Sequence, residues 1–364
     1  MSERDDAALT RDSPSRSERE GPRRLSAARL AGAAVRQRFF AVFVLLVILF
    51  AAFSATQDRF FTSGNIEALL TSAAILWMVS IGLTFVMLAG GFDLSIGSTL
   101  ALSSIALGAF VNDFGMTPLL AIAATLAFGA ALGGAINGVL VGPLGLSFLV
   151  VTLGTLILFR GFTNLWSDTK TEQVVSSLLD SLAFDRFAGI PIPVWIMAGT
   201  FLVALYVQRS TYFGRDVYAV GGNADAARLS GVRVGRTIVA VYAVSGMLAA
   251  AGGVLQTARI GAASSLVGES VLFDAAAAVL LGGTSFAGGV GGVGGTIVGV
   301  LFLATLQNGL SVSGVASFWQ QIITGAILLA AILLDRVQRH GVAGLGVRRG
   351  GPRTAELDTR GDGG

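Results

Sequence analysis

The chain is 364 residues long, and 53% of these residues are hydrophobic while only 13% are charged. A soluble domain of this size carries about twice that share of charge, because polar groups must cover its surface. The formal net charge is +3, the mean hydropathy is +0.75 and cysteine is absent, which excludes disulfides, thiolate zinc sites and cysteine nucleophiles. The composition predicts an integral membrane protein.

Apolar blocks recur along the chain at the length that a helix needs to cross a hydrocarbon core about 30 Å thick. They predict about ten transmembrane helices, which we place at residues 39–56, 67–89, 94–112, 117–141, 145–165, 190–208, 237–258, 271–287, 292–312 and 317–335. The predicted fold is an all-α integral membrane protein. A disordered segment at 1–36 precedes the transmembrane domain at 37–337, and a disordered tail follows at 338–364.

Positive charge sets the predicted orientation. The block at 39–56 follows an arginine-rich stretch, and a retained first helix with a cytoplasmic amino end explains this better than a cleaved signal peptide, whose positive region is shorter. An even number of helices then places both ends of the chain in the cytoplasm. The arginines within 209–236 and after 335 agree, because cytoplasmic segments are enriched in Lys and Arg. This distribution accounts for the basic isoelectric point without nucleic-acid binding.

A weak internal repeat relates residues 137–158 to residues 308–329. Asn-Gly, Ser-Phe and a later glycine stand in register in NGVLVGPLGLSFLVVTLGTLIL and NGLSVSGVASFWQQIITGAILL. The copies lie five helices apart, an odd number, so they have opposite orientations. Two inverted five-helix repeats are the prediction, with Asn137 and Asn308 on a path between them, as in many transporters. Chance resemblance between two apolar stretches is the alternative.

The polar segment GGFDLSIGS, at residues 90–98, interrupts two apolar blocks. A charge at membrane depth costs about 2.5–3.5 kcal/mol on insertion scales, so Asp93 needs a partner or a water-filled cavity. The two glycines allow a sharp break, after which Asp93 can cap the next helix. A place in a substrate path is the alternative, because broken backbone at membrane depth is tolerated where it lines a cavity.

The loop GGNADAARLSG, at residues 221–231, predicts a helix of two turns. Asn223 is a good N-cap, Asp225 suits the positive end of the helix, and Gly231 is placed for a C-cap. So short a helix is marginal alone in water. We therefore expect it to dock, with Ala227 and Gly231 on its docking face, into a partner subunit; a plain connector is the alternative.

No residue set predicts catalysis, a cofactor or a metal site. The single histidine, His340, follows the last helix, and the single lysine, Lys170, stands outside any Walker A loop. Any ATP that drives this protein must be bound by another polypeptide. The glycine-rich stretch 282–295 formally contains GxGxxG, but membrane helices flank it, so we predict close helix packing there.

Four motifs carry a family resemblance: GGFDLSIGS, VTLGTLILFRG, GGNADAARLSGV and FDAAAAVLLGGTSFAGG. In this order, over residues 37–337, they closely resemble the ribose-type sugar permeases of bacterial ATP-binding-cassette importers, which are related to the branched-chain amino-acid permeases. The resemblance implies a non-enzymatic permease subunit that translocates a pentose or hexose across the cytoplasmic membrane. It also implies several partners: a cytoplasmic ATPase, a periplasmic or lipid-anchored sugar-binding protein, a second permease subunit in a homodimer or heterodimer, and membrane lipid, but no nucleic acid.

The same resemblance assigns two sets of site residues. The ATPase-coupling loop comprises Gly222, Asn223, Ala226, Ala227, Ser230 and Gly231. The signature of the translocation path comprises Gly90, Gly91, Asp93, Leu94, Ser95 and Gly97. The chain departs from the family where Leu146-Ser147-Phe148 replaces a proline pair and where Leu272-Phe273-Asp274 replaces Glu-Leu-Asp.

Sugar hydroxyl groups need uncharged polar partners. The candidates along the predicted helices are Asn137, Gln256, Gln307 and Asn308, and hydrogen bonding between helices is their alternative role.

A branched-chain amino-acid permease is the second functional hypothesis. An ion-coupled secondary carrier is a third, but such carriers hold several charged residues within their helices, and this chain holds few. A scaffold membrane protein is the last.

Overall fold

The computed structural model describes residues 27–340 and the side chains of residues 40–337, and it is mainly helical. The first helix begins at Ala27, so residues 27–36, which we predicted as disordered, are helical. Alanine and arginine are strong helix formers, and they extend the apolar block toward the amino terminus. Residues 338–340 of the predicted disordered tail are helical too, because the last helix ends at His340. The remainder of the two predicted disordered segments, at 1–26 and 341–364, lies outside the described residues.

The described helices follow the predicted blocks. Their bounds are α1 (Ala27–Thr56), α2 (Ser63–Leu88), α3 (Ile96–Asn112), α4 (Pro118–Ala131), α5 (Val139–Val141), α6 (Phe148–Ser167), α7 (Ser177–Phe184), α8 (Ile192–Ser210), α9 (Tyr212–Gly222), α10 (Ala224–Leu229), α11 (Val234–Ile260), α12 (Val271–Leu281), α13 (Val293–Val312) and α14 (Ser317–His340). A π-helical turn, Leu132–Gly138, joins α4 to α5. Two short antiparallel strand pairs complete the described part of the chain: β1 (Glu172–Gln173) with β4 (Ala262–Ala263), and β2 (Arg186–Phe187) with β3 (Ile190–Pro191).

Seven helices in the described part are long and apolar enough to cross a membrane: Ser63–Leu88, Pro118–Val141, Phe148–Ser167, Ile192–Ser210, Val234–Ile260, Val293–Val312 and Ser317–Val337. Shorter apolar helices lie at Phe40–Thr56, Ile96–Asn112 and Val271–Leu281. Each of the ten predicted blocks therefore contains a helix, and a count of ten crossings stays a prediction. The predicted block 271–287 is too long, because α12 ends at Leu281 before Gly283, whose positive φ of 85° ends the helix.

Helices α2 and α11 form the centre of the bundle. Trp77 of α2 and Val241 of α11 are both fully buried. Glycines allow α4 and its π-helical turn to lie directly on α11: a Cβ added at Gly246 would overlap the carbonyl oxygen of Gly129. The close packing predicted for the glycine-rich stretch 282–295 is confirmed, since a Cβ added at Gly295 in the first turn of α13 would overlap the carbonyl oxygen of Gly282 at the end of α12.

The outer helices expose their apolar side chains. Val150 and Leu165 of α6 are 72% and 77% exposed, and Leu329 of α14 is 65% exposed. Water penalises so much exposed apolar surface, whereas hydrocarbon chains do not. Together with the seven long apolar helices, these faces identify a multi-pass membrane protein.

Candidate functional site

The break between α2 and α3 is organised by the carboxylate of Asp93, which is 1% exposed. Its Oδ1 accepts hydrogen bonds from the backbone N–H of Ser95 at 3.0 Å and from the Ser95 hydroxyl at 2.6 Å. Its Oδ2 accepts one from the Ser245 hydroxyl of α11 at 3.0 Å. The side chain therefore bonds to the N–H of the N-cap residue of α3 and ties this end of α3 to the central helix α11.

Neighbouring groups extend this cluster. Asn137, in the π-helical turn, donates from Nδ2 to the Ser95 hydroxyl at 2.8 Å. The Phe92 carbonyl oxygen accepts from the Tyr242 hydroxyl at 3.3 Å. The Oδ1 atom of Asn137 is buried and has no hydrogen-bond partner among the described residues. The structure thus brings three predicted path residues, Asp93, Ser95 and Asn137, into one polar cluster inside the bundle.

The other signature residues surround this cluster. Gly91 lies beside the Tyr242 hydroxyl, and Leu94 is half-buried. Gly97 faces the segment between α11 and α12, because a Cβ placed there would stand 2.5 Å from the Gly268 carbonyl oxygen. The signature segment is therefore held by contacts with backbone from distant parts of the chain.

Asn308 lies apart from Asn137. Its side-chain amide pairs reciprocally with that of Asn65 near the start of α2: Asn65 Nδ2 donates to Asn308 Oδ1 at 2.9 Å, and Asn308 Nδ2 donates to Asn65 Oδ1 at 3.0 Å. The start of α2 lies at the end of the bundle away from Gly90. The two asparagines of the internal repeat therefore lie apart: Asn137 belongs to the polar cluster beside Ser245 in the middle of α11, and Asn308 lies near the start of α2.

The loop after α8 folds into α9 and α10 with the predicted caps. Asn223 Oδ1 accepts the N–H of Ala226 at 2.9 Å, which caps α10 at its amino end. Gly231 has a φ of 89°, and the N–H groups of Gly231 and Val232 bond back to the carbonyl oxygens of Arg228 and Ala227. This is a Schellman ending, which glycine adopts without steric cost. Sequence and structure agree on the helix and on both of its ends.

The orientation of α10 corrects one expectation. Ala227, which we placed on the docking face, is 5% exposed and packs against Val220 and Val234. Leu229 is 91% exposed on the opposite side of the helix. A six-residue helix shows too few turns for its apolar period to reveal which face is buried. The outward face instead carries Leu229, together with the exposed residues Gly222, Asn223, Ala226, Ser230 and Gly231.

Three glycine pairs meet where α9 ends, and we call them the glycine junction: Gly90-Gly91, Gly221-Gly222 and Gly288-Gly289. The N–H of Gly289 donates to the Leu88 carbonyl oxygen at 2.9 Å, and a Cβ added at Gly221 would overlap that same oxygen. A Cβ added at Gly288 would stand 2.7 Å from the Cα of Gly90. Backbone therefore touches backbone between the α9–α10 loop, the signature segment and the loop before α13.

A hydrogen-bond chain runs beside this junction. Gln208 of α8 donates to the Tyr218 hydroxyl at 2.5 Å, and that hydroxyl donates to the Gly291 carbonyl oxygen at 2.6 Å. Gln208 Oε1 also accepts the N–H of Val293 at 2.9 Å. Burial raises the pKa of the Tyr218 hydroxyl above its ordinary value, so the hydroxyl keeps its proton and can donate. The start of α13 is thereby attached to α8 and α9.

At the far end of α11, polar side chains line a cavity of about 330 Å³ between α2, α11, α12 and α13. Three of the four predicted sugar-contacting residues lie there: Gln256, Gln307 and Asn308. Asn137 belongs to the Asp93 cluster instead. Our sequence reasoning missed Arg259 and Asp274 as residues of this cavity. Both are charged residues within apolar blocks, and that signal was sufficient to single them out.

Within residues 27–340, no three acidic, histidine or cysteine side chains lie close enough together to hold a metal ion. The side chain of His340 lies outside the side chains that the structure describes.

Comparison with known proteins identifies the family. Residues 65–332 match the family model for the branched-chain amino acid transport system / permease component. The chain is 39% identical over 298 residues to the ribose import permease protein RbsC of Escherichia coli K12, an alignment that covers 80% of this chain and 92% of that protein. It is 40% identical to the protein of the same name from Bacillus subtilis 168, over 82% of this chain and 91% of the relative.

The D-allose transport system permease protein AlsC of Escherichia coli K12 is 35% identical over 82% of this chain and 91% of the relative. No solved structure matches the chain at a significant level. The match to the family model and these full-length relatives agree with the motifs of the signature segment and the α9–α10 loop. The chain belongs to this family of transport-system permeases and is a membrane-spanning transport subunit, not an enzyme.

Proposed function

We propose that this protein is the permease subunit of an ATP-binding-cassette importer that carries a pentose or hexose across the cytoplasmic membrane. Its alignment along 92% of a ribose import permease is the observation that carries this proposal. Asp93, Ser95 and Gly97 contribute as the residues that hold the signature segment, and the polar cavity provides hydroxyl partners. The family model bears the name of the runner-up, a branched-chain amino-acid permease.

The α9–α10 loop is the proposed contact with a cytoplasmic ATPase. A capped helix with a nearly fully exposed leucine presents a small apolar anchor to a partner, and the glycine junction joins this helix to the signature segment. This role places the start of α11 in the cytoplasm, together with both chain ends. The other proposed partners are a sugar-binding protein at the opposite face and a second permease subunit against an exposed apolar face.

The proposed architecture is ten crossings in two inverted repeats. Asn137 and Asn308 stand 308 − 137 = 171 residues apart, and Ser63 and Val234, which begin α2 and α11, differ by 234 − 63 = 171. The starts of α6 and α14 differ by 317 − 148 = 169. Similar spacing over several helices supports a duplication, and the odd offset of five helices between the copies supports an inverted one.

Uptake and co-purification test the function. Proteoliposomes that contain the permease with its ATPase and its sugar-binding protein are expected to accumulate ribose or another pentose or hexose, only when ATP is present. Leucine is the test solute for the second hypothesis, a branched-chain amino-acid permease. Uptake of leucine without any sugar contradicts the sugar assignment. Uptake that persists without ATP, with no ATPase recovered on purification, contradicts the importer assignment.

The two faces of α10 give a paired prediction. Leu229→Asp is expected to leave the thermal stability of the permease unchanged, because the side chain is 91% exposed. It should weaken ATPase binding about tenfold or more, which corresponds to the loss of about 1.4 kcal/mol from an apolar anchor. Ala227→Asp should instead destabilise the permease itself, since it buries a carboxylate against Val220 and Val234.

Detergent-stable yield, melting temperature and recovery of the ATPase are measured for both variants. Gly231→Trp is a poor substitute for Leu229→Asp, because the φ of 89° at Gly231 strains any L side chain. Normal ATPase recovery and normal uptake with Leu229→Asp would contradict the coupling role of this face.

A further inference from the structure

Two adjoining cavities lie at the end of the bundle farthest from α10. The first, of about 330 Å³, and the second, of about 290 Å³, share Ile75, Gln256 and Val271 in their walls. They lie where α11 ends and where α2 and α12 begin. Because α11 has 27 residues at about 1.5 Å each, this region is about 40 Å from the α9–α10 loop.

The first cavity is more polar than a binding pocket for apolar molecules. Seven of its twelve lining residues are polar, although helices that cross a membrane surround it. Gln256, Arg259 and Gln307 belong to helices that are long and apolar enough to cross a membrane, and polar side chains within such segments mark solute paths. The second cavity adds Glu269, Ser270 and Gln321 around the same Gln256.

Several of these side chains have donor or acceptor groups with no described hydrogen-bond partner. No described residue bonds to the side-chain amide of Gln256. Arg259 donates one N–H to the Ser72 hydroxyl, at 2.8 Å, and no described carboxylate lies within 4 Å of its guanidinium. Gln307 donates from Nε2 to Asp274 Oδ1 at 2.9 Å, which leaves its own carbonyl oxygen without a described partner. Donors and acceptors are therefore both available around one space.

This mixture suits a neutral molecule with several hydroxyl groups. Each hydroxyl both donates and accepts, so a wall that offers amides, a guanidinium and a carboxylate can satisfy it from either side. Arg259 is opposed in sign by Asp274 and Glu269, so the space lacks the single-sign field that concentrates anions or cations. Its volume is at the lower end of the range of about 300–1,000 Å³ found for small-molecule sites.

Among the described residues, no aromatic side chain lines either cavity. Small-molecule sites of high affinity are lined largely by apolar and aromatic side chains. A transport path needs the opposite, because a solute must enter readily and also leave. The lack of a described aromatic surface for stacking on the solute therefore favours weak binding, which lets the solute pass, over tight binding, which would retain it.

We propose that the two cavities around Gln256 form a weak transit site for a neutral pentose or hexose, in which Gln256, Arg259, Asp274 and Gln307 contact the sugar hydroxyl groups. The inference rests on the proposed function and deepens it by locating a sugar contact in the permease itself. It also distinguishes these residues from Asp93 and Asn137, which belong to the polar cluster beside Ser245 of α11.

The absence of cysteine from the chain allows a direct test. Gln256→Cys is introduced alone, and the purified permease–ATPase complex is labelled with a charged, water-soluble methanethiosulfonate. D-ribose should slow labelling, by about threefold at twice its dissociation constant by mass action, with half-protection at millimolar ribose. Leucine should not slow it. Gln320→Cys is the matched control, because Gln320 is a glutamine of α14 that lines neither cavity.

Ser311→Cys, a nearly isosteric change at a lining residue with no side-chain hydrogen bond to a described residue, repeats the measurement if the first variant folds poorly. Protection at neither lining position, or equal protection at Gln320→Cys, overturns the site. Protection by leucine and not by ribose overturns the ligand class. Ribose uptake by the wild-type importer separates the two proposals: uptake without protection refutes only this site, and absence of all sugar uptake refutes the proposed function.

Discussion

Asp93→Ala is expected to lower the stability of the permease by about 3 kcal/mol or more and to abolish transport. The change removes the acceptor of three hydrogen bonds, from the Ser95 N–H, the Ser95 hydroxyl and the Ser245 hydroxyl. Each buried donor left without a partner costs about 1–3 kcal/mol, and water does not reach a residue that is 1% exposed. The melting temperature in detergent and sugar uptake in proteoliposomes measure the two effects.

Asp93→Asn is the matched control for this prediction. The amide keeps one acceptor oxygen for Ser95, and the Ser245 hydroxyl can rotate to accept from the new NH₂ group. The variant should therefore be nearly as stable as the wild type and should transport. A stable Asn variant that fails to transport would instead show that the charge of Asp93 acts in the substrate path, which is the alternative that the sequence left open. An alanine variant of normal stability would contradict the structural role.

Gly221→Ala is expected to disrupt the link between the α9–α10 loop and the signature segment. The added Cβ would overlap the Leu88 carbonyl oxygen and stand 2.7 Å from the backbone nitrogen of Gly289. Both neighbours are backbone and cannot rotate away, so overpacking of about 1–3 kcal/mol must be relieved by separating the segments. We expect a lower melting temperature and a loss of ATP-driven uptake that exceeds the loss of ATPase binding.

Gly222→Ala is the matched control, since it makes the same change one residue later in the same helix. No described atom lies within 4 Å of a Cβ built at Gly222, and alanine favours a helix over glycine by about 0.8–1.0 kcal/mol. Its melting temperature should equal or slightly exceed that of the wild type. If the two variants have the same melting temperature and the same ATP-driven uptake, close backbone contact at the glycine junction has no part in stability or in coupling.

The sequence by itself determined the features that depend on neighbouring residues. Every predicted apolar block contains a helix, because the length and hydrophobicity of a block decide whether it can cross a membrane. Asn223 caps the amino end of α10 and Gly231 its carboxyl end, as predicted, because a cap depends on one residue and the backbone beside it. The family resemblance followed from four short motifs and agrees with the matched permease family.

Only the tertiary structure decided which surfaces face which neighbours. Helices α2 and α14 both read as apolar, yet Trp77 is fully buried while Leu329 is 65% exposed. Lipid and protein interior favour the same side chains, so hydropathy cannot separate a central helix from a peripheral one. For the same reason the sequence could not orient Ala227 and Leu229 on a helix of six residues.

The candidate site shows the same limit. Sequence reasoning found Asp93 and Asn137 separately, but the hydrogen-bond cluster that joins them to Ser245 depends on segments more than a hundred residues apart. It also grouped Asn137 with Asn308, although the fold places Asn137 in the Asp93 cluster and Asn308 beside Asn65. Such contacts arise from how glycine-rich surfaces let helices approach, and no local pattern of residues encodes the partner that each surface meets.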